Sequence, residues 1–165
     1  MASLGRRLVA LVRTALDSRT RVGRGRPPQA TTAVHGPDEV DVEYRPRDDD
    51  RPDPGEVVWA WVPYDEGDGR GKDRPVLVIG RRGGSLLGLM LTSKDHDRDA
   101  ADEARHGRVW MDVGTGAWDS RRRPSEVRLD RLVVLEPTAV RREGAAMGRA
   151  LFDEVVAAAR RTQGW

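Results

Sequence analysis

Two apolar runs joined by a glycine-rich loop decide the fold: PVLVIG at Pro75–Gly80, RRGGS at residues 81–85 and LLGLMLT at Leu86–Thr92. Short apolar runs that are bounded by turn residues predict buried strands, and the five-residue loop between them predicts a hairpin. Similar runs predict three further strands, at Val57–Tyr64, Arg108–Val113 and Glu126–Leu135.

The C-terminal part of the chain is predicted to be a helix. Met147, Leu151, Val155 and Ala159 recur at every fourth position, which is typical of a helix of about 14 residues with one apolar face. Five short strands followed by one helix predict a mainly β domain, a small antiparallel barrel with a C-terminal helix, over residues 54–165.

Charge divides the chain into three parts, although its formal net charge is only +2. Residues 1–26 carry +6, residues 37–53 carry −5 and residues 54–165 carry +1. Apolar spacing from Leu4 to Leu16 predicts a basic amphipathic helix over residues 1–17. Residues 18–53 have no apolar period and are rich in Pro, Arg and Asp, which predicts a disordered linker, basic and then acidic.

The composition excludes several classes of function. The chain has no cysteine and three histidines, which leaves no disulfide, no thiol nucleophile and little for a metal centre. The segment Gly67–Asp73 lacks the spacing of a phosphate-binding loop, and Asp95–Asp99 lacks the later glycine and glutamate of a calcium loop. No apolar run is long enough to cross a membrane. The sequence therefore predicts a cytoplasmic protein with no metal and no cofactor.

One set of polar residues remains as a candidate functional site. The segment Gly71–Pro75 enters a predicted strand, and Leu91–Lys94 ends the next one, so a hairpin in register brings them together. In a further strand, alternation places Arg128 and Asp130 on one face. Two arginines, a hydroxyl and a carboxylate are thereby expected to share a cleft.

At these residues the chain resembles the PemK/MazF family, the toxins of type II toxin–antitoxin systems. PGEVV at 54–58 is similar to the start of the family's sequences, and KDRPVLVI at 72–79 is similar to its Lys-x-Arg-Pro-x-Leu-Val-Ile signature. LTSK at 91–94 matches its Thr-Ser turn, whereas Asp65–Arg70 departs from its usual Gly-x-Glu-Gln. The resemblance covers nearly all of residues 54–165.

The resemblance implies an SH3-like barrel, a homodimer, a cognate antitoxin and metal-independent cleavage of single-stranded RNA. It places catalysis on Arg74, Thr92, Arg128 and Asp130. Such cleavage uses the 2′-hydroxyl of the RNA as nucleophile. We expect Asp130 to act as the base, the two arginines to stabilise the phosphorane, and Thr92 to donate a hydrogen bond to the phosphate.

Further residues are predicted to bind RNA, and other interpretations stay open. The predicted RNA-binding residues are Arg70, Lys72, Ser93, Lys94 and, as a stacking ring in a polar loop, Trp118. His96 is an alternative proton donor. One alternative function is a non-catalytic SH3-like module that binds DNA or RNA, with DNA contacted by the basic N-terminal segment. Another is a partner-binding protein that acts through its N-terminal helix, for which contact with a membrane is disfavoured. The acidic residues 37–53 are a candidate competitor of RNA in cis.

Overall fold

The computed structural model describes residues 31–32, 40–95 and 99–165. The predicted helix at 1–17, much of the predicted linker and His96 lie outside these ranges. The strands are β1 (Thr31–Thr32), β2 (Asp41–Val42), β3 (Glu56–Pro63), β4 (Gly71–Arg82), β5 (Ser85–Thr92), β6 (Trp110–Gly114), β7 (Ser125–Arg128), β8 (Val133–Leu135) and β9 (Val140–Ala146). The helices are α1 (Ala100–Arg105) and α2 (Arg149–Gln163), with a 3-10 turn at Pro137–Ala139.

All the strand pairs formed by the described residues are antiparallel, in the order β1-β8-β5-β4-β3-β9. Strand β2 adds to β4, and β7 joins β6 to the end of β5. The prediction of a mainly β antiparallel fold with a C-terminal helix is confirmed. None of the helices in the described part of the chain has the length and apolar character needed to cross a membrane.

The central strands β3, β4 and β5 contribute to two apolar clusters, because alternate residues of a strand point to opposite faces. One face, with Val57 and Leu77, packs against Phe152 and Val155 of α2. The other face forms a second apolar cluster, which includes Val58, Ala60, Val62, Val76 and Met90. These apolar runs are continuous rather than alternating because both of their faces are buried.

The predicted strand Glu126–Leu135 is wrong as a single element. The chain forms β7, leaves the sheet after Arg128 and returns as β8 at Val133. Leu129 and Leu132 between them are 5% and 3% exposed and belong to the core, so their burial bends the chain inward. This bend places Arg131 beside the end of β3, where its Nη2 donates to the backbone oxygen of Pro63 at 3.0 Å.

Residues 40–53, which we call the strap, are not the disordered linker that the sequence predicts. Its strand β2 pairs Val42 with Gly80 of β4, where a Cβ would clash with the backbone oxygen of Asp41. The hydroxyl of Tyr44 donates to the backbone oxygen of Met147 at 2.7 Å. Val40, Val42 and Tyr44 pack against the first apolar cluster and so fix the strap. They alternate with acidic residues, but the pattern is short and lies in a segment rich in Pro, Arg and Asp, whose composition predicts disorder.

Candidate functional site: a cationic cleft

A cleft of about 400 Å³ opens between the end of β3, the start of β4 and the end of β5. Val62 and Met90 of the second apolar cluster form part of its wall. Six cationic side chains line it: Arg70, Arg74, Lys94, Arg108, Arg128 and Arg131. Three carboxylates also line it: Asp65, Glu66 and Glu103. The lining therefore carries a net charge of +3, which favours an anionic ligand.

Arg74 and Thr92 meet across neighbouring strands. The register of β4 and β5 pairs Val76 with Met90, so the residues two positions further out face each other. Nη1 of Arg74 donates to Oγ1 of Thr92 at 3.3 Å, and the backbone N–H of Lys94 donates to the same oxygen at 3.2 Å. Thr92 is 4% exposed, so its hydroxyl is fixed at the wall of the cleft. The structure brings these two residues together as the sequence predicts.

Arg128 lies between two carboxylates and is 7% exposed. Its Nε and Nη2 donate to Asp130 at 2.8–3.1 Å, and its Nη1 donates to both oxygens of Asp65 at 2.9 and 3.0 Å. Burial by itself would lower the pKa of Arg128, but hydrogen bonds and charge from Asp130 and Asp65 outweigh it and raise that pKa. Arg128 is therefore a fixed cation of the cleft.

Asp130 is turned toward the protein rather than toward the cleft. Besides the contacts from Arg128, its Oδ1 accepts the backbone N–H of Val109 at 2.8 Å. Its side chain is 16% exposed and is not among those that line the cleft. The geometry suits a carboxylate that orients Arg128, and differs from the base expected from the sequence, which must reach the substrate.

Asp65 is a cleft residue for which the sequence analysis proposed no role. It accepts hydrogen bonds from Arg108, Arg128 and Arg131, with the shortest, 2.7 Å, from Nη1 of Arg131. Burial would raise the pKa of Asp65, but the hydrogen bond and charge of Arg128, with the charges of Arg131 and Arg108, lower it. Its only sequence signal is that it begins the loop that departs from the family pattern.

Glu103 is the second cleft residue that sequence reasoning missed. It lies on α1 and is 8% exposed. Its Oε2 accepts Nε1 of Trp110 at 3.0 Å, and its Oε1 accepts Nη1 of Arg108 at 3.5 Å. Sequence reasoning predicts no role for Glu103, and only the folded structure places its carboxylate in the wall of the cleft.

The remaining predicted RNA-binding residues differ in position. Arg70 and Lys94 line the cleft, and Arg70 pairs with Asp68 at 2.6 Å. Lys72 and Ser93 are exposed outside its lining. Trp118 is 5% exposed, packs in the core and donates from Nε1 to Ser125 at 3.3 Å. Its ring has no free face for a base, so the prediction of a stacking residue there is wrong for this structure. Tyr64, 37% exposed, is an aromatic residue of the cleft wall instead.

No three His, Asp or Glu side chains come together as a ligand cluster within the described ranges. The cleft therefore offers cations, a hydroxyl and single carboxylates. These groups can bind a phosphate, stabilise a developing negative charge and exchange one proton.

Most of this chain is similar to known proteins. A family model for PemK-like, MazF-like toxins of type II toxin–antitoxin systems matches residues 53–162. A crystal structure of MazE–MazF from Deinococcus radiodurans matches with 23% identity and a TM-score of 0.42, over 70% of this chain and 95% of that one. The Mycobacterium tuberculosis toxin MazF-mt6 matches with 16% identity and a TM-score of 0.43, over 67% and 99%. The comparison with curated proteins found no match.

Proposed function

This chain belongs to the family of PemK-like, MazF-like toxins of type II toxin–antitoxin systems, and we propose that it is a metal-independent endoribonuclease that cleaves single-stranded RNA. The observation that carries the proposal is the cleft, whose six cationic side chains surround a space of about 400 Å³. A cleft of this charge attracts the sugar–phosphate backbone of RNA. Its buried hydroxyl, on Thr92, and its buried carboxylate, on Glu103, are the kinds of group that backbone cleavage requires.

The proposed reaction begins with attack by the 2′-hydroxyl of the RNA on the adjacent phosphorus. The O2′–P bond forms, the P–O5′ bond breaks, and the products are a 2′,3′-cyclic phosphate and a 5′-hydroxyl. Arg74 and Arg128 donate to the phosphorane, on which negative charge accumulates, and Thr92 positions the phosphate. Loss of one such donor typically costs about a hundred- to a thousandfold in rate. The departing oxygen takes a proton from water in the open cleft.

We assign removal of the 2′-hydroxyl proton to Glu103. It is a carboxylate of the cleft lining, mostly buried and carried by a helix. Asp65 is already bound by three arginines, and Glu66 lies in an exposed loop. Asp130 is the orienting partner of Arg128 in this proposal.

The family supports the partners that complete the proposal. A toxin of a type II system has a protein antitoxin, so we propose a cognate antitoxin whose binding closes the cleft to RNA. We further propose that the toxin is a homodimer in the cytoplasm. Sedimentation of the purified chain measures the dimer directly.

The competing function is a nucleic-acid-binding module without catalysis. It is favoured by one observation: Asp130 and Asp65 are both saturated by arginine contacts. In that case the same cleft binds RNA or DNA and leaves it intact.

The test is incubation of the purified protein with a mixed-sequence RNA in excess EDTA, followed by mapping of the new ends. We expect internal cuts that leave 2′,3′-cyclic phosphates, and no cut where a 2′-deoxynucleotide replaces the attacking one. Cleavage that requires added magnesium would overturn the mechanism. Tight binding of RNA with no cleavage would establish the binding module instead.

A further inference from the structure

Three guanidinium groups converge on the carboxylate of Asp65. Nη1 of Arg131 donates at 2.7 Å, Nη1 of Arg128 donates to both oxygens at 2.9 and 3.0 Å, and Nε of Arg108 donates at 3.2 Å. Arg108 precedes β6, Arg128 ends β7, and Arg131 lies in the bend between β7 and β8. Residues from separate segments thus build one anion-binding position, which we call the arginine cluster.

Two arginines of the arginine cluster are buried, whereas Asp65 and Arg108 are partly open to solvent. The side chains of Arg128 and Arg131 are 9% and 10% exposed, and those of Asp65 and Arg108 are 32% and 30% exposed. A guanidinium binds the two oxygens of a carboxylate and those of a phosphate with the same planar geometry. The position now filled by Asp65 therefore suits two oxygens of a phosphodiester equally well.

The segment that carries Asp65 can withdraw without disturbing the core. It is the loop between β3 and β4, and its residues 64–70 are all exposed. Gly67 and Gly69 have φ of +66° and +83°, conformations that glycine adopts readily. The backbone bonds between Tyr64 and Arg70 lie within the loop, so they can move with it.

We propose that the arginine cluster is the binding site for one RNA phosphate, and that Asp65 occupies it as an internal anion until RNA displaces it. The inference deepens the proposed function, on which it rests, by naming a phosphate subsite and its resident competitor. Burial lowers the pKa of Arg131, the Asp65 carboxylate opposes this, and the nearby charge of Arg128 adds to the lowering. The cluster is thus more stable with an anion in it.

The test compares Asp65→Asn with a matched control, Asp48→Asn. Each substitution raises the net charge by one, but Asp48 is exposed in the strap. Its neighbours Arg47 and Asp49 lie beside Arg81, at the opposite end of β4 from the cleft. The probe is a fluorescent single-stranded RNA with 2′-O-methyl groups throughout, which cannot be cleaved by 2′-hydroxyl attack. Anisotropy titrations at several salt concentrations measure its Kd.

We expect Asp65→Asn to lower the Kd by roughly fivefold relative to Asp48→Asn at low salt, which is the upper end of what one partly exposed ion pair contributes. This gain should shrink as salt rises, because screening weakens the contacts of RNA and carboxylate alike. A Kd for Asp65→Asn equal to or above that of Asp48→Asn would overturn the inference, since Asp65 would then merely position the arginines.

Two further measurements test the displacement of Asp65 if the variant does not fold, and separate this inference from the proposed function. If Asp65→Asn does not fold, hydrogen exchange of the wild-type amides at 64–70 should still rise when the methylated RNA binds, and increased protection there would refute displacement. Cleavage of unmodified RNA by the wild type is measured in parallel. If the wild type cleaves RNA but the two variants have the same Kd, only this inference is wrong. If the wild type neither binds nor cleaves RNA, the proposed function is wrong as well.

Discussion

Two isosteric substitutions, Glu103→Gln and Asp130→Asn, separate proton transfer from positioning in the cleft. If Glu103 removes the proton, its amide variant should lose at least about a hundredfold in kcat, the usual contribution of a general base. KM should change little, because Arg74 and Arg128, which bind the reacting phosphate, are kept and the contact between Glu103 and Arg108 is long, at 3.5 Å. Asp130→Asn should lower the rate less, by loosening Arg128.

The two variants should rank the other way in stability: Asp130→Asn should be destabilised more than Glu103→Gln. The side chains of Asp130 and Arg128 are 16% and 9% exposed, so solvent screens their interaction weakly. An amide keeps one acceptor oxygen but loses the charge, which costs about 2 kcal/mol for one charge-assisted hydrogen bond. For a chain of this size that lowers Tm by roughly 4–8 °C. Glu103→Gln should cost less, since it keeps an acceptor for Trp110 and its contact with Arg108 is 3.5 Å long.

Single-turnover cleavage of a short labelled RNA and thermal unfolding of each variant measure both effects. The reasoning fails if Glu103→Gln cleaves at the wild-type rate. A loss of cleavage in Asp130→Asn with an unchanged Tm would return the base to Asp130, as the sequence suggested.

Three other outcomes are expected. Excess EDTA should leave the cleavage rate unchanged, because the 2′-hydroxyl needs no metal to attack; strict magnesium dependence would contradict this. Arg74→Ala and Thr92→Ala should each lower the rate at least about tenfold, and the double variant should lose less than the product, since the two side chains share a hydrogen bond; independent losses would show separate roles. Tyr44→Phe should lower the free energy of unfolding by about 1 kcal/mol, because it removes the bond to the Met147 oxygen. An unchanged urea midpoint would mean that this hydroxyl contributes nothing to the stability of the strap.

Strands β3, β4 and β5 could be predicted because each is a run of apolar residues long enough to be buried on both faces. Helix α2 could be predicted because its buried residues recur at helical spacing. The hairpin register then follows, and with it the meeting of Arg74 and Thr92. These features depend on local pattern and on the pairing of neighbours in sequence.

The remainder of the site depends on contacts between distant segments. Asp65 meets Arg128 and Arg131 across more than sixty positions of the chain. Glu103 belongs to a six-residue helix, too short to show an apolar period. Trp118 sits in a polar loop by composition, yet its ring fills the core. The local sequence therefore does not indicate that Asp65 contacts these arginines or that Glu103 and Trp118 are buried.

The strap lies too far from the cleft of the same chain to compete with RNA there, in contrast to the competition that the sequence suggested for residues 37–53. It pairs with β4 at Gly80 and Arg81, whereas the cleft uses Arg74, seven residues earlier on the same strand. At about 3.3 Å per residue these positions are roughly 23 Å apart, more than twice the screening length of about 8 Å at physiological salt. The strap's charges therefore add little to the potential of the cleft. Competition in cis falls instead to Asp65, whose loop departs from the family pattern and which lies within hydrogen-bond distance of three arginines.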